Sequence, residues 1–131
     1  EQYKKGDNRR AFEYYRKAAE LGHAEAHFSL AYMHQNGEGV EEDRGKEMYH
    51  TEEAAIGGHP VARYNLGVYE FENGNIEKAV KHLIIAASQG YDDSIKVLMK
   101  AFKGGFVSKE DLAAALRAHQ AAVDATKSPQ R

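Results

Sequence analysis

Sliding the sequence along itself by 36 residues brings like onto like, and this self-similarity limits the fold more than any other feature. Asp7, Ala18, Ala19, Gly22, His23, Ala26 and Leu30 fall on Asp43, Ala54, Ala55, Gly58, His59, Ala62 and Leu66. A further slide of 32 places Ala54, Ala55, Gly58 and Leu66 on Ala86, Ala87, Gly90 and Leu98. Periods of this size mark stacked supersecondary units, none of which can bury its apolar face alone. The difference of four residues lies just ahead of Asp43 and Asn75. The stretch 37–42 of one copy shrinks to little more than Gly74 in the next.

Each copy reads as two helices. The first helices are predicted at about 24–36, 60–73 and 92–103, and the second at about 7–21, 43–56 and 75–89. Asp7, Asp43 and Asn75 suit N-caps, because a short side-chain oxygen can accept from free first-turn amides. Pro60 suits a first helical turn, where its missing N–H costs nothing. Gly22, Gly58 and Gly90 suit the left-handed residue that ends a helix. Ile76, Ala79, Val80, Leu83, Ala86 and Ala87 recur at helical, not strand, spacing. The alanine pairs 18–19, 54–55 and 86–87, with Ala26 and Ala62, let helices approach closely. Larger residues, among them Phe12, Phe28, Leu30, Tyr64, Leu66, Leu83 and Leu98, are expected to fill the space between.

The spacing Ala26…Leu30-Ala31…Gly37-x-Gly39-Val40-x-x-Asp43-x-x-Lys46…Ala54-Ala55-x-x-Gly58 resembles the Sel-one-like repeat, a relative of the tetratricopeptide repeat with a longer, Gly-containing loop. Ala62…Leu66-Gly67…Gly74-Asn75…Lys78-Ala79…Ala86-Ala87…Gly90 resembles it too, with a shorter loop, and residues 5–11 fit the same half-motif. Two positions depart: histidine (His50, His82) stands where an aromatic is usual in the second helix, and Glu47 where Ala11 and Ala79 stand in the other copies. The resemblance implies an all-α, right-handed superhelical solenoid of antiparallel helix pairs that works as an adaptor and catalyses nothing. The repeats would occupy 1–103, divided at about 23, 59 and 91, with a partial last copy at 92–103.

Residues 104–131 stand outside the repeat. Ser108 followed by Asp111 resembles a capping box, and Leu112, Leu116, His119 and Val123 recur at helical spacing. A C-terminal capping helix is expected, since terminal units of a solenoid need a polar outer face. A partner-binding or dimerising helix is the alternative. Residues 125–131 are expected to fray. This tail also resembles those closing proteins whose repeats follow a RING-type zinc domain. That likeness implies a substrate-recruiting segment of a ubiquitin ligase, with the zinc domain ahead of Glu1. The chain opens on Glu rather than Met and is expected to begin inside a longer protein.

Composition serves mainly to exclude. The 131 residues carry 18 Lys+Arg against 20 Asp+Glu, so the basic footprint of a nucleic-acid binder is missing. There is no cysteine, hence no disulfide, thiolate zinc site or Cys nucleophile in these residues. No apolar run approaches the roughly 20 residues of a membrane span. His23 and His27 have the i, i+4 spacing of a metal pair, but Gly22-His23 falls at a helix end, so a packing or solvated role is expected instead. His50 and His82 are expected to be partly buried rings. The serines lack the Ser-x-x-Lys and G-x-S-x-G patterns. Gly37-Glu38-Gly39 fails as a dinucleotide loop, since position 42 is Glu and no strand precedes it. No catalytic residue, metal or cofactor is expected.

A solenoid offers surface. Its first helices should line the concave side. Aligned positions that keep their chemistry read as scaffold, and those that change can carry recognition. Glu25, Ser29, Tyr32, Asn65, Val68 and Lys100 belong to the changing set and are the expected lining of a groove for a partner helix or extended peptide. Simple solvent exposure is the alternative. A protein or peptide partner is expected, with no nucleic acid and no membrane span, or else a fixed place inside a larger assembly. No residue names a compartment, and the cytoplasm is the default.

Overall fold

The computed structural model describes residues 2–127. Seven helices follow in order: α1 (Gln2–Glu20), α2 (Ala24–Asn36), α3 (Arg44–Ile56), α4 (Pro60–Glu72), α5 (Ile76–Ser88), α6 (Asp92–Lys103) and α7 (Lys109–Lys127). No strand occurs among the described residues. The fold is an all-α helical repeat. The chain forms two compact units, Glu1–Ala62 and Arg63–Arg131, and their border falls inside α4.

The punctuation of the repeat works as physics requires. Gly22, Gly58 and Gly90 follow the alanine-paired helices with φ of 90°, 96° and 90°, a conformation that L side chains rarely adopt. Asp43 caps α3, its Oδ1 accepting from the Lys46 N–H at 3.0 Å. Pro60 opens α4. Ser108 Oγ accepts from the Asp111 N–H at 3.0 Å, just ahead of α7.

Two expected caps fail. Asp7 lies inside α1, which begins at Gln2, and there it meets Arg10 at 3.6 Å. A residue with a helical turn ahead of it has no free amide left to cap. Asn75 occupies the N-cap position of α5 but makes no cap bond, because its Nδ2 donates instead to Glu70 Oε1 at 2.7 Å.

In unit 1, α2 packs on both α1 and α3. Ala26, Leu30 and Ala31 are buried on α2, Ala54 and Ala55 on α3, and Ala19 on α1. Phe12 and Tyr15 of α1 pack beside Ala19, Ala26 and Leu30. The alanines let the backbones approach, and Leu30, only 1% exposed, fills what remains.

In unit 2, α5, α6 and α7 pack on one another. Val80, Leu83, Ala87, Leu98, Ala101, Val107 and Ala115 form one buried cluster, flanked by Tyr64 and Phe71 of α4. Gly67 repeats the small residue Ala31, and a methyl there would meet Leu83 Cγ at 2.8 Å, so α4 sits on α5 at this point. The helix α7 covers the α5–α6 face through Leu112, Ala115 and a hydrogen bond from His119 to Asp92 of 2.7 Å. Leu116 is 40% exposed, and Ala115 is the buried residue at this point of α7. The alanine-rich inner face accounts for this: Ala115 allows the closer approach. The helix also runs through Lys127, so 125–127 are helical rather than frayed. Residues 128–131 of the expected frayed tail lie outside the described residues.

Candidate binding groove

Unit 1 carries a groove of about 340 Å³ along α1 and α2. Tyr15 comes from α1, Glu25, Phe28, Ser29 and Tyr32 from α2, and Glu38 from the turn that follows α2. Three of the six residues expected to line a groove therefore come together. Glu25 is exposed, Ser29 half-buried, and Tyr32 keeps 55% of its surface. The other three belong to unit 2, where Asn65 of α4 is exposed, Val68 of α4 half-buried, and Lys100 of α6 exposed.

The end of the groove near Glu25 is built by a repeated ring contact. His59 stacks on Phe28, with centroids 4.3 Å apart and planes at 16°. In the next copy Tyr91 meets Tyr64 at 5.1 Å. The ring that follows the helix-ending glycine thus lies against the aromatic of the preceding first helix. His23 occupies the same repeat position and is exposed, the solvated one of the two roles expected for it.

The tautomer of His59 follows from its partners. Its Nδ1 accepts from the Ala62 N–H at 3.3 Å, so Nε2 carries the proton and donates to Glu25 Oε1 at 2.9 Å.

The far end is set by the long loop between α2 and α3. The Glu38 N–H donates to the Met33 carbonyl at 3.0 Å, and the Asp43 N–H to the His34 carbonyl at 3.1 Å. Gly39, at φ 73°, lies so close to α1 that a methyl there would run into the Asn8 carbonyl. The seven-residue loop is therefore seated on α1, and it delivers Glu38 to the groove. The shorter three-residue turn between α4 and α5 has no equivalent.

Behind the groove, unit 1 holds a histidine cluster that was not foreseen as such. His27 and His50 approach Nδ1 to Nδ1 at 2.9 Å, so one donates and the other accepts. His34, 2% exposed, stacks on His50 at 5.7 Å, and Phe12 meets it edge-on at 5.6 Å. Burial, then the neighbouring His27, His34 and Lys46, push the His50 imidazole from 6.5 down to about 4. The same slots in the next copy hold Arg63 and His82, with Arg63 Nη1 donating to His82 Nδ1 at 3.3 Å. The signal was present: positions 27 and 63, and positions 50 and 82, match across the copies and are polar in both. Glu47, where an alanine is usual, is tolerated because its carboxylate meets Arg44 at 3.5 Å. No three His, Asp or Glu residues among those described converge as a metal site would require.

Comparison with known proteins fits this geometry. The Sel1 repeat family model matches residues 2–23, 24–59 and 60–91. The chain belongs to the Sel1 repeat family. Similar Sel1-type solved structures include a protective antigen of uropathogenic Escherichia coli displaying an SLR fold. It is 30% identical over 86% of this chain and 25% of its own, with a TM-score of 0.66. A Sel1 repeat protein from Oxalobacter formigenes is 27% identical over 87% of this chain and 49% of its own, also at 0.66. The chain thus spans half or less of the length of these relatives. No curated protein matches it. Among the described residues of this Sel1 repeat chain, no helix is long and apolar enough to cross a membrane.

Proposed function

We propose that this Sel1 repeat chain is a non-catalytic adaptor that holds a segment of a partner protein in the α1–α2 groove. Sel1 repeat proteins are generally protein-interaction scaffolds. The observation that carries the reading to these residues is Tyr32. It is a large amphipathic ring left 55% exposed beside the groove residues Tyr15 and Phe28. Tyrosine is enriched at the energetic centres of interfaces, where a ring can be covered and its hydroxyl still find a partner. By the same repeat logic, Asn65 and Val68 on α4 and Lys100 on α6 form the recognition surface of unit 2.

Two further readings have less to support them. A substrate-recruiting role in a RING-type ubiquitin ligase rests on the likeness of the C-terminal tail. A fixed place in a larger assembly rests on the family's scaffold character.

Selection of random peptides displayed on phage tests the groove. Peptides enriched on the wild-type chain should lose binding to Tyr32→Ala and Ser29→Arg, both checked for unchanged helicity by circular dichroism. Enriched peptides that bind both variants as well as wild type would show that recognition lies elsewhere.

A further inference from the structure

The charge of the groove points to the kind of segment it takes. Among the described residues its lining holds two carboxylates, Glu25 and Glu38, and no lysine or arginine. Glu38 is half-buried and forms no ion pair among the described residues. Glu25 meets no lysine or arginine among the described residues, and its partner is the His59 Nε2–H at 2.9 Å. Arg9 borders the other side of the 37–43 loop, beside Glu41 and Glu42. An uncompensated carboxylate beside apolar rings is a poor arrangement in isolation and a good one once a cation arrives. The rings themselves favour a cation, through the negative faces of Tyr15, Phe28 and Tyr32.

The spacing sharpens this. Glu25 lies in the first turn of α2, and Glu38 lies two residues beyond its last. Eleven residues of helix from Glu25 to Asn36, at about 1.5 Å each, span roughly 17 Å, and the chain turns back at Gly37, where the Glu38 N–H reaches the Met33 carbonyl. An extended segment advances about 3.3 Å per residue, so roughly five residues cover that distance. Of the separations near five, four and six place both side chains on the same face of an extended strand.

Resting on the adaptor reading above, we propose that the α1–α2 groove takes an extended partner segment bearing two cationic side chains about four to six residues apart. One cation meets Glu25, the other meets Glu38, and the residues between lie on the Tyr15, Phe28 and Tyr32 rings.

Fluorescence anisotropy on the full chain tests this with labelled nine-residue glycine–serine peptides that share a central leucine. One carries arginines at its second and eighth positions, one has norleucines there, one has glutamates there, and one carries arginines at its fourth and sixth. The widely spaced arginine peptide should bind about tenfold tighter than the norleucine peptide and several-fold tighter than the close-spaced one. Glu25→Gln and Glu38→Gln should each weaken it about fivefold and leave the norleucine peptide unchanged, and raising the salt should weaken it further. If the norleucine or glutamate peptide binds as tightly, and Tyr32→Ala abolishes that binding, the groove is real but its basic preference is refuted. If arginine-peptide binding ignores Glu25→Gln, Glu38→Gln and Tyr32→Ala alike, the proposal is overturned. No binding by any peptide at millimolar concentration overturns it as well.

Discussion

Acid should loosen unit 1 through His50, and the structure sets the size of the effect. In the folded chain burial, then His27, His34 and Lys46, hold this imidazole near 4, whereas an unfolded chain leaves it near 6.5. A histidine whose folded value lies below its unfolded one binds its proton more readily when the chain unfolds. Stability is therefore fully present above pH 6.5 and is lost as pH falls from 6.5 toward 4. Between pH 7.5 and pH 5 the full shift corresponds to about 2 kcal/mol. The ring is only half-buried, so solvent screening reduces the expectation to about 1 kcal/mol. Hydrogen bonding acts in the same direction: His27 and His50 share one Nδ1–H across 2.9 Å, and a proton on both nitrogens would set two donors face to face.

The assay is urea unfolding followed by circular dichroism at pH 7.5 and pH 5, for wild type and His50→Phe. Phenylalanine keeps the ring and removes the proton site. The wild type should lose about 1 kcal/mol more than the variant over this interval. Ring proton chemical shifts followed against pH give a direct check on the same site. Equal losses in the two proteins, or an NMR titration of His50 at or above 6.5, would refute the reasoning.

Two other perturbations separate packing from capping. Gly39→Ala should destabilise unit 1 by more than about 1 kcal/mol, because it strains a positive φ and drives a methyl into the α1 backbone at Asn8. A thermal melt unchanged from wild type would show that the loop is not seated on α1. Asp43→Ala should cost about 1 kcal/mol, the usual worth of a lost cap, whereas Asn75→Ala should cost only a few tenths because Asn75 caps nothing. Urea midpoints of the two variants measure the difference, and equal losses would contradict the cap geometry.

How far the sequence could be read follows from which interactions are written in one position and which in two. A helix-ending glycine, an N-cap aspartate and an alanine at a close crossing each carry their reason in one residue type. Gly22, Gly58, Gly90, Asp43 and the alanine pairs are accordingly legible, and the helix order with them. Facing contacts need two positions and the register between them, so they are harder to see. His50 alone reads only as a partly buried ring, and its meaning comes from His27 and His34 on α2. The repeat supplies the missing register, since positions 27 and 50 recur as 63 and 82 once the shortened loop is counted. The groove shows the same division. Glu25, Ser29 and Tyr32 were visible as positions that change between copies. Phe28 was hidden because it reads as core, Tyr15 because the repeat singles it out for no role, and Glu38 because it lies in a loop without a counterpart in the next copy. A residue that packs a solenoid can also line its surface when only one side of its ring is covered, as His59 covers Phe28. Divergence between repeats therefore finds the variable part of a binding surface and misses the part built from scaffold. In this chain the scaffold part, Phe28 with Glu38 delivered by the long loop, brings the rings and the uncompensated charge on which the proposed basic specificity depends.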